Sequence, residues 1–404
     1  MQNKAEIYFP SCAAEADLRK EDLKMESYQF LSPKKIVVQT GGIESAGSLA
    51  KALGTKALVC IGGNSCRKNG SLDRLMDSLQ KAGIDLVVFE GIRSDPDVQT
   101  VEKGYALCVK SGCDMVVGMG GGSVLDAAKA IGLLAANGGN LTDYETVRPA
   151  KPMLPMMAIP TTAGTASEVT RMSIITDPAQ KKKMLISCEE IIPDIALLDA
   201  ELTYSMPAKV AAATGMDALT HAMEAYLSDN ASPITDLFAL KAVKTIAANI
   251  HAAVYNPKNT AAKKEMMTAQ MYAGLAFSNT LTCLVHSMSR PLGVYYGIPH
   301  GEANAVLLAT VMDFNLPACV SRMADMAKAM GLSGSGEWEL AEALTAHLHK
   351  IHSLLPLRQN LAEMNVRRED LRPMAESAFA SGTTRVNPRK PTVEEIESLY
   401  EKLL

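Results

Sequence analysis

The chain has 404 residues, is 48% hydrophobic and 21% charged, and carries a formal net charge of −4. This length exceeds one ordinary hydrophobic core, so we expect two domains. The slightly acidic balance argues against a nucleic-acid partner, because a surface that follows phosphates is normally basic.

Neither export nor membrane insertion is predicted. Residues 1–31 carry charges throughout and lack the apolar centre of a signal peptide. No uninterrupted apolar run reaches the roughly 20 residues that span a bilayer. The eight cysteines are scattered without the spacing of a metal site, so we expect reduced thiols. Together these features predict a cytoplasmic protein with no membrane partner.

The first half of the chain alternates apolar runs with helical patterns after a polar lead-in over residues 1–30. The predicted strands are 36–38, 57–61, 86–89, 115–119 and 156–159, and the predicted helices are 43–53, 71–82 and 97–111. Strands that are apolar on both faces and separated by helices indicate a parallel sheet covered on both sides. We therefore predict a doubly wound α/β domain, of the kind that binds a dinucleotide, over residues 1–204.

The second half has a different texture, rich in Ala, Leu, Met, Glu and Lys. Long stretches with a 3.6-residue apolar period cover 234–254, 261–277 and 336–353. Strand-like alternation nearly disappears. We predict an all-α domain over residues 205–404.

A glycine-rich loop, Gly120-Gly121-Gly122-Ser123, lies between a predicted strand and the helix that carries Asp126 and Lys129. Glycines there let the backbone approach a phosphate, and the start of the helix offers free N–H groups. Ser123 is suited to cap that helix and to donate to a phosphate. The spacing does not match G-x-G-x-x-G, and a tight turn alone would also explain the glycines.

A second loop follows the 156–159 run and contains Thr161, Thr162 and Thr165. Their hydroxyl groups suit a diphosphate or a ribose. A capped turn, in which Thr165 and Glu168 form a capping box, would explain the same residues, and both interpretations can hold at once.

Cofactor choice depends on Gly62, Gly63 and Asn64, which end the second predicted strand. An NAD-preferring site usually has an acidic residue near this point to bind the ribose 2′-hydroxyl. No carboxylate is present here, and Arg67 and Lys68 are able to neutralise a 2′-phosphate. A solvated basic pair explains them equally well, so NAD and NADP both remain open.

Asp217, His221, His286 and His300 form a candidate metal site. Asp217 and His221 are four residues apart in a helical pattern, so both side chains leave one helix face. His286 and His300 lie on opposite sides of a predicted chain break that begins at Pro291 and therefore can return to one point. One carboxylate and three imidazoles predict a divalent-metal site with room for a substrate oxygen. Any one of them alone would more simply be structural.

Four longer motifs follow one another along the chain. They are Gly120-Gly121-Gly122-Ser123-x-x-Asp126-x-x-Lys129, Ile159-Pro160-Thr161-Thr162-Ala163-Gly164-Thr165-x-x-Glu168-Val169-Thr170, Gly215-x-Asp217-Ala218-Leu219-Thr220-His221-Ala222-x-Glu224 and Pro299-His300-Gly301-Glu302-Ala303-Asn304. In this order they resemble the iron-containing (metal-dependent, group III) alcohol dehydrogenase family from Phe30 to the C-terminus.

The resemblance implies an architecture like that of dehydroquinate synthase, with a cleft between the two domains. It implies that the four candidate ligands bind Fe²⁺, with Zn²⁺ or Mn²⁺ as alternatives. It places the glycine-rich loop on the pyrophosphate and the three threonines beside an NAD or NADP cofactor. It also implies a homo-oligomer, dimeric or larger. The expected reaction is hydride transfer between nicotinamide and a small aldehyde or alcohol, with the metal as Lewis acid.

Arg290 departs from the family pattern. Many members carry a histidine here, four residues after His286, that relays a proton. Arginine stays protonated and cannot do so, but it offers a forked cation. A second arginine, Arg385, lies in a loop that relatives bring to the substrate pocket. We predict that Arg290, with Arg385, binds an anionic group on a short aldehyde or alcohol. Among the activities that the family resemblance implies, sulfoacetaldehyde reduction to isethionate is the best single candidate, with phosphonoacetaldehyde and succinate-semialdehyde-type substrates behind it.

Three alternatives stay open. Arg290 would instead pair with a local carboxylate such as Glu302, or bind a cofactor phosphate. The enzyme would then be a general primary alcohol, diol or lactaldehyde dehydrogenase. From a different class, the chain would be a non-catalytic metal-binding structural or interaction protein, against which the intact ligand set and both phosphate loops count.

Overall fold

Eight β-strands lie in the first half of the chain, within the residues that the computed structural model describes, 27–180 and 182–404. They are β1 (Lys35–Val38), β2 (Lys56–Ile61), β3 (Asp85–Phe89), β4 (Met115–Gly120), β5 (Met156–Pro160), β6 (Met172–Asp177), β7 (Lys182–Ser187) and β8 (Ile195–Leu198). Six of them form a sheet in the order β1-β8-β5-β4-β2-β3, with every pairing parallel.

Five helices accompany these strands. They are α1 (Ala46–Ala50), α2 (Ser65–Lys68), α3 (Ser71–Lys81), α4 (Val98–Ser111) and α5 (Gly122–Asn137). Alternate residues of β2 face opposite sides, since Val59 packs with α1 and α3 while Leu58 packs with α4 and α5. Both faces of the sheet are thus buried, which explains why its strands read as continuous apolar runs. The doubly wound α/β prediction is confirmed.

The strands β6 and β7 form a separate antiparallel hairpin that was not predicted. Polar side chains lie on its buried face: Ser173 is fully buried and donates to the Asp126 backbone carbonyl at 2.8 Å. Ile174 N donates to the Asp126 carboxylate at 3.1 Å. The hairpin therefore rests on the start of α5, beside the glycine-rich loop.

The second half contains helices and short 3₁₀ turns. The helices are α6 (Ala208–Leu227), α7 (Pro233–Tyr255), α8 (Thr260–Thr280), α9 (Leu284–Tyr296), α10 (His300–Asn315), α11 (Val320–Ala329), α12 (Glu337–Ser353), α13 (Leu371–Ala380) and α14 (Val393–Glu401). Helix α6 is the central one, packed against α7, α8 and α10. Its residues from Gly215 to Leu227 are all buried, so polar groups there require partners. The predicted helical half is confirmed.

Helix α9 corrects one expectation. The predicted break between His286 and His300 exists, but it begins at Gly297, whose φ is +63°, and not at Pro291, because the helix continues to Tyr296. Proline removes a backbone donor and crowds the preceding turn. Tyr400, fully buried, donates its hydroxyl to the Met288 carbonyl in that turn at 2.5 Å. Packing thus holds a helix that local sequence disfavours.

Helix α7 is long and apolar enough by itself to cross a bilayer, although no uninterrupted apolar run of that length was found in the sequence and Lys241 and Lys244 lie within the helix. Of its most apolar window, 44% is buried. Val243, Ile246 and Ile250 are fully buried in the core that α7 shares with α6 and α8. A core helix passes the same test of length and composition.

Candidate metal centre and cofactor cleft

Three helices bring the four predicted metal ligands together. Asp217 and His221 lie one turn apart on α6, His286 lies in the first turn of α9, and His300 is the first residue of α10. One ligand atom from each lies within 4.8 Å of all the others. Asp217 and His221 therefore converge with two histidines that lie 65 or more residues further along the chain, as the spacing and context predicted.

The carboxylate of Asp217 stands at the centre of the group. Its Oδ1 lies 3.6 Å from His300 Nε2, 3.9 Å from His286 Nε2 and 4.0 Å from His221 Nδ1. The His221 ring stacks on Phe277 with a centroid separation of 4.0 Å and on His286 at 4.5 Å. These ring contacts fix the planes of the imidazoles without using their nitrogen lone pairs.

Glu224 fixes the tautomer of His286. Its carboxylate, fully buried, accepts from Cys283 N at 2.9 Å, Val285 N at 2.6 Å and His286 Nδ1 at 2.6 Å. Because Nδ1 carries the proton toward Glu224, the lone pair of His286 resides on Nε2, which faces Asp217. Burial raises the pKa of Glu224 to about 7, while these donors act in the opposite direction.

Burial favours the neutral form of the His286 and His300 imidazoles. It lowers the pKa of His286 well below its ordinary value, with the neighbouring His221 acting in the same direction. It lowers the pKa of His300 to about 3, although Asp217 opposes the shift. Neutral imidazoles with free lone pairs are the form that binds divalent ions.

Two buried polar atoms at this point, His221 Nδ1 and Asn304 Oδ1, have no hydrogen-bond partner within residues 27–180 and 182–404. Unpaired buried polar atoms are costly, and a cation among them would supply the missing interaction. One carboxylate and three imidazoles are also a donor set suited to Fe²⁺, Mn²⁺ or Zn²⁺. The residues present therefore fit a divalent metal.

The glycine-rich loop packs tightly at the end of β4. A Cβ on Gly120 would lie 2.6 Å from the Val124 side chain, and one on Gly122 would lie 2.6 Å from Thr165 Oγ1. Glycine is therefore required sterically, whether or not a phosphate binds. The residue before α5 is Gly121, so Ser123 lies inside the first turn and is not the helix cap as predicted.

Asp126 and Lys129, both on α5, hold the second loop in place through hydrogen bonds. Asp126 accepts from Ser167 Oγ at 2.6 Å. The Lys129 ammonium group is fully buried and donates to Thr170 O and Met172 O at 2.9 and 2.8 Å, and to Thr170 Oγ1 at 3.1 Å. Asp126 also touches the cavity described below, but Lys129 does not. The structure therefore places Lys129 as a support of the second loop, which corrects its prediction as a cofactor contact.

The second loop is not a capped turn. Ala166, with φ of +53°, precedes the 3₁₀ turn Ser167–Val169 without a side-chain cap. Glu168 instead accepts from Gln270 in the helical half at 2.5 Å. Thr165 lines the cavity, and Thr162 lies against Gly121. Thr161 joins the two loops through its N–H, which donates to Gly120 O at 2.9 Å.

Gly62, Gly63 and Asn64 follow β2, which pairs with β4, so they lie at the same sheet edge as the glycine-rich loop. The space next to them holds an ion pair. Arg67 Nε donates to Glu90 Oε2 at 3.3 Å and Nη2 donates to Oε1. The following Gly91 N donates to Gly62 O at 3.1 Å, which brings Glu90 beside this strand end. A carboxylate is therefore present there, on the residue that follows β3, which the linear sequence did not show.

A cavity of about 160 Å³ opens between the two halves of the chain. Gly122, Ser123 and Thr165 line it from the sheet side. All four metal-ligand residues line it from the helical side, and Arg290 lines the same side. The structure thus joins the predicted metal site and the predicted phosphate loops in one cleft.

Arg290 lies one turn after His286 and is partly buried in this cleft. Its Nη1 donates to Ser381 Oγ at 3.2 Å. The predicted alternative partner, Glu302, is taken: Arg358 binds it through Nε and Nη2 at 2.9 and 2.8 Å, and Lys209 lies 3.3 Å away. A pair between Arg290 and Glu302 is therefore wrong.

Arg385 does not reach the cavity. It is exposed, and the loop that carries it contacts Arg290 through Ser381 instead. Its prediction as a substrate residue is corrected by this placement. Lys183 on β7 also lines the cavity and pairs with Asp95 at 2.6 Å, although no role was predicted for it. A lysine in an unpredicted hairpin gave no signal.

Comparison with known proteins agrees with this geometry. The model of the iron-containing alcohol dehydrogenases matches residues 33–200, and the model of the C-terminal part of the Fe-containing alcohol dehydrogenase family matches residues 211–404. The chain belongs to the iron-containing alcohol dehydrogenase family. This family member is 38% identical over 378 residues to an NAD-dependent methanol dehydrogenase of Bacillus methanolicus, covering 93% of this chain and 99% of that protein.

Two solved structures of family relatives are also close. The crystal structure of a 1,3-propanediol oxidoreductase matches with a TM-score of 0.91 at 36% identity, covering 94% of this chain and 100% of that chain. A sulfoacetaldehyde reductase of Bifidobacterium kashiwanohense in complex with NAD⁺ matches with a TM-score of 0.84 at 31% identity, covering 93% and 98%. This dehydrogenase is therefore an oxidoreductase that acts on CH–OH groups with a nicotinamide cofactor, which sets aside a non-catalytic role.

Proposed function

We propose that this dehydrogenase interconverts a short aldehyde bearing an anionic group and the corresponding alcohol, with sulfoacetaldehyde and isethionate as the best single candidate. The observation that carries the proposal is Arg290, which lines the same cavity as the four metal-ligand residues. A forked cation one turn from His286 suits a sulfonate, phosphonate or carboxylate close to the reacting carbon.

The charge environment of the cleft supports this substrate class. Glu302 is neutralised by Arg358 and Lys209, so it does not compete for Arg290. Ser381 uses one of the five N–H donors of the guanidinium group, which leaves others for a ligand. Lys183 adds a second cation, balanced by Asp95. The similarity to a sulfoacetaldehyde reductase points the same way.

The residues of this chain divide the work of the reaction. A divalent ion held by Asp217, His221, His286 and His300 supplies Lewis-acid stabilisation of negative charge on the substrate oxygen. A nicotinamide dinucleotide supplies or accepts the hydride. Within the protein, Glu224 holds His286 in the tautomer that presents Nε2.

Positioning and shielding fall to other side chains. Arg290 anchors the anionic end of the substrate, which fixes the distance of its carbonyl carbon from the cleft wall. Phe277 covers one side of the cavity with an apolar ring, against which His221 stacks. Because Arg290 keeps its proton, it orients the substrate and takes no part in proton exchange.

Replacing Arg290 with Met tests the substrate. We expect kcat/KM for sulfoacetaldehyde to fall by about 100-fold, mainly through KM, because charge-assisted hydrogen bonds are lost, while that for propanal changes by less than about threefold. Arg385→Met is the matched control, since it removes an exposed arginine from the neighbouring loop. Equal losses on both aldehydes would contradict the proposal.

A general primary alcohol or diol dehydrogenase is the second candidate. The similarity to proteins named for methanol and 1,3-propanediol favours it. In that case the uncharged substrates would be turned over better than sulfoacetaldehyde by the unmodified enzyme, and Arg290→Met would leave that order unchanged.

We also propose that this enzyme accepts NADPH as well as NADH, with Arg67 contacting the 2′-phosphate. The first residues after β2 carry no carboxylate, and Arg67 lies four positions beyond Gly63 on the short helix α2. Its partner, Glu90, is about half exposed, as Arg67 is, so solvent screens the pair and a phosphate can compete for the guanidinium group. Glu90, once released, is able to accept from the 2′-hydroxyl of NADH.

Two variants test this cofactor proposal. Arg67→Met should lower kcat/KM for NADPH by about 10-fold or more while sparing NADH, and Glu90→Gln should shift the preference toward NADPH. Arg148→Met is the control, because Arg148 pairs with Glu189 and Glu190 elsewhere on the surface. An unchanged NADPH to NADH ratio in both variants would refute the role of Arg67.

Three further features belong to the same proposal. We propose Fe²⁺ as the bound ion, with Zn²⁺ and Mn²⁺ as alternatives. A homo-oligomer and a cytoplasmic location stay predictions. The seven cysteines in the described part of the chain are free thiols, which suits a reducing compartment. Sedimentation equilibrium of the purified enzyme tests the oligomeric state.

A further inference from the structure

Asn304 lies closer to the metal-ligand atoms than any sequence pattern indicated. It is on α10, one turn after His300, and is fully buried. Its carboxamide Nδ2 lies 2.7 Å from Asp217 Oδ1, 3.2 Å from His286 Nε2 and 3.2 Å from His300 Nε2. One carboxamide group therefore touches three of the four ligand atoms.

The other end of this carboxamide has no partner among the described residues. There, Oδ1 of Asn304 is buried and accepts no hydrogen bond. Buried carbonyl oxygens are normally satisfied, and the two ends of an amide exchange by rotation about one bond. Turning the group by half a revolution directs the oxygen at the same ligand cluster.

An ion bound here would leave the nitrogen end poorly matched to two of its present neighbours, His286 Nε2 and His300 Nε2. His286 Nε2 presents a lone pair, because Nδ1 carries the proton to Glu224. A cation at the meeting point of such lone pairs repels an NH₂ group and attracts a carbonyl oxygen. Amide carbonyl oxygens are ordinary ligands of hard divalent ions.

We propose that Asn304 is a fifth protein ligand of the metal centre, and that its carboxamide oxygen biases the site toward Fe²⁺ and Mn²⁺ over Zn²⁺. Zn²⁺ is satisfied by four donors in a tetrahedral arrangement, whereas Fe²⁺ and Mn²⁺ accept further oxygen ligands. The inference concerns ion binding alone and does not depend on which aldehyde is the substrate.

A positioning role is the competing explanation. In that case the amide only donates to Asp217 and holds its carboxylate in place. Loss of such a hydrogen bond would weaken the binding of every divalent ion to a similar degree, because Asp217 would be equally misplaced for all of them. Selectivity between ions therefore separates a ligand from a positioning residue.

The test measures dissociation constants of Fe²⁺ (under anaerobic conditions), Mn²⁺ and Zn²⁺ by chelator competition, without substrate or nucleotide. For Asn304→Ala and Asn304→Ser we expect binding of Fe²⁺ and Mn²⁺ to weaken by about 10- to 100-fold and that of Zn²⁺ by less than about threefold. Asn315→Ala is the control, since Asn315 is equally buried on α10 but pairs with Asn387 at 3.1 Å.

Equal weakening for all three ions, or none, would overturn the proposal. A second measurement needs no variant: a crystal structure of the Mn²⁺-loaded enzyme should place the Asn304 oxygen within roughly 2.5 Å of the ion. An Asn304 nitrogen that still donates to Asp217, with the ion beyond reach of the oxygen, would equally refute the fifth ligand. Neither result bears on Arg290 or on the anionic substrate.

Discussion

Leu281, between α8 and α9, holds a backbone conformation that suits glycine. Its φ is +69° and its ψ is 164°, a region that costs a residue with a side chain about 1–3 kcal/mol. The next residue, Thr282, lines the active cleft. The strain is held in place by hydrogen bonds, since Leu281 N donates to Phe277 O at 2.9 Å and its carbonyl accepts from Thr280 Oγ1 at 3.0 Å.

We predict that Leu281→Gly is more stable than Leu281→Ala by about 1–2 kcal/mol, because both remove the side chain but only glycine relieves the strain. Urea unfolding of both variants measures the difference. The exposed Lys264 on α8 provides the control, since at an ordinary helical position alanine should be the more stable by about 1 kcal/mol. If the alanine variant were more stable than the glycine variant at both positions, Leu281 would be unstrained.

The start of α10 is anchored by one buried carboxylate, Glu302, two residues after His300. Hydrogen bonds from Arg358 lower the pKa of Glu302 from 4.5 to about 2. Above about pH 4.5 the group is ionised whether the chain is folded or unfolded, and its full contribution to stability is present. As pH falls from 4.5 toward 2, the unfolded chain takes up the proton first, so the contribution is lost.

We therefore predict that Glu302→Gln lowers the free energy of unfolding by about 1.5–3 kcal/mol near neutral pH, and by progressively less below pH 4.5. Urea unfolding of both proteins across this range, with metal removed, gives the difference directly. Glu339→Gln, on the exposed first turn of α12, should show a much smaller effect. A difference that stays constant with pH would exclude the ion pair as its source.

Elements whose local pattern agrees with their burial could be predicted from sequence. The helix expected from Asp97 begins there, because Asp97 caps it by accepting from Thr100 N at 2.8 Å. The hairpin β6–β7 could not be predicted from sequence, since the buried face of β6 carries Ser173 and Asp177. Asp177 accepts from Ala179 N in the hairpin turn, but the partner of Ser173 comes from another element, since Ser173 donates to the Asp126 carbonyl. No periodicity reveals a polar strand face that is satisfied by tertiary contacts.

The same division applies to the site. The spacing of Asp217 and His221 determines a shared helix face, so their convergence follows from local geometry. The direction of the Arg290 side chain follows from helix geometry, because α9 continues past Pro291. Arg385 could not be placed, because one 3₁₀ turn decides whether Ser381 or Arg385 faces the cleft. Side-chain direction in irregular turns depends on contacts that sequence spacing does not determine.

The whole molecule carries its two chemical functions on separate elements. Every metal-ligand residue comes from α6, α9 or α10 in the helical half, whereas the glycine-rich loop belongs to the sheet. The boundary near residue 204 stays a prediction as a division into domains. If it holds, each ligand should stabilise mainly the half to which it binds.

Hydrogen exchange measures this directly. We predict that a divalent ion alone slows amide exchange in α6, α9 and α10. At an ion concentration 100 times its dissociation constant, the free energy of opening of these helices should rise by up to about 2.7 kcal/mol, while exchange at Gly120 to Ser123 stays unchanged. NADPH or NADH alone should slow exchange at Gly120 to Ser123. Asp217→Asn is the control, because it should abolish the response to the ion and keep the response to the nucleotide. Equal protection of both halves by the ion would mean that they open as one cooperative unit. The cleft would then lie within a single domain and would not separate two domains.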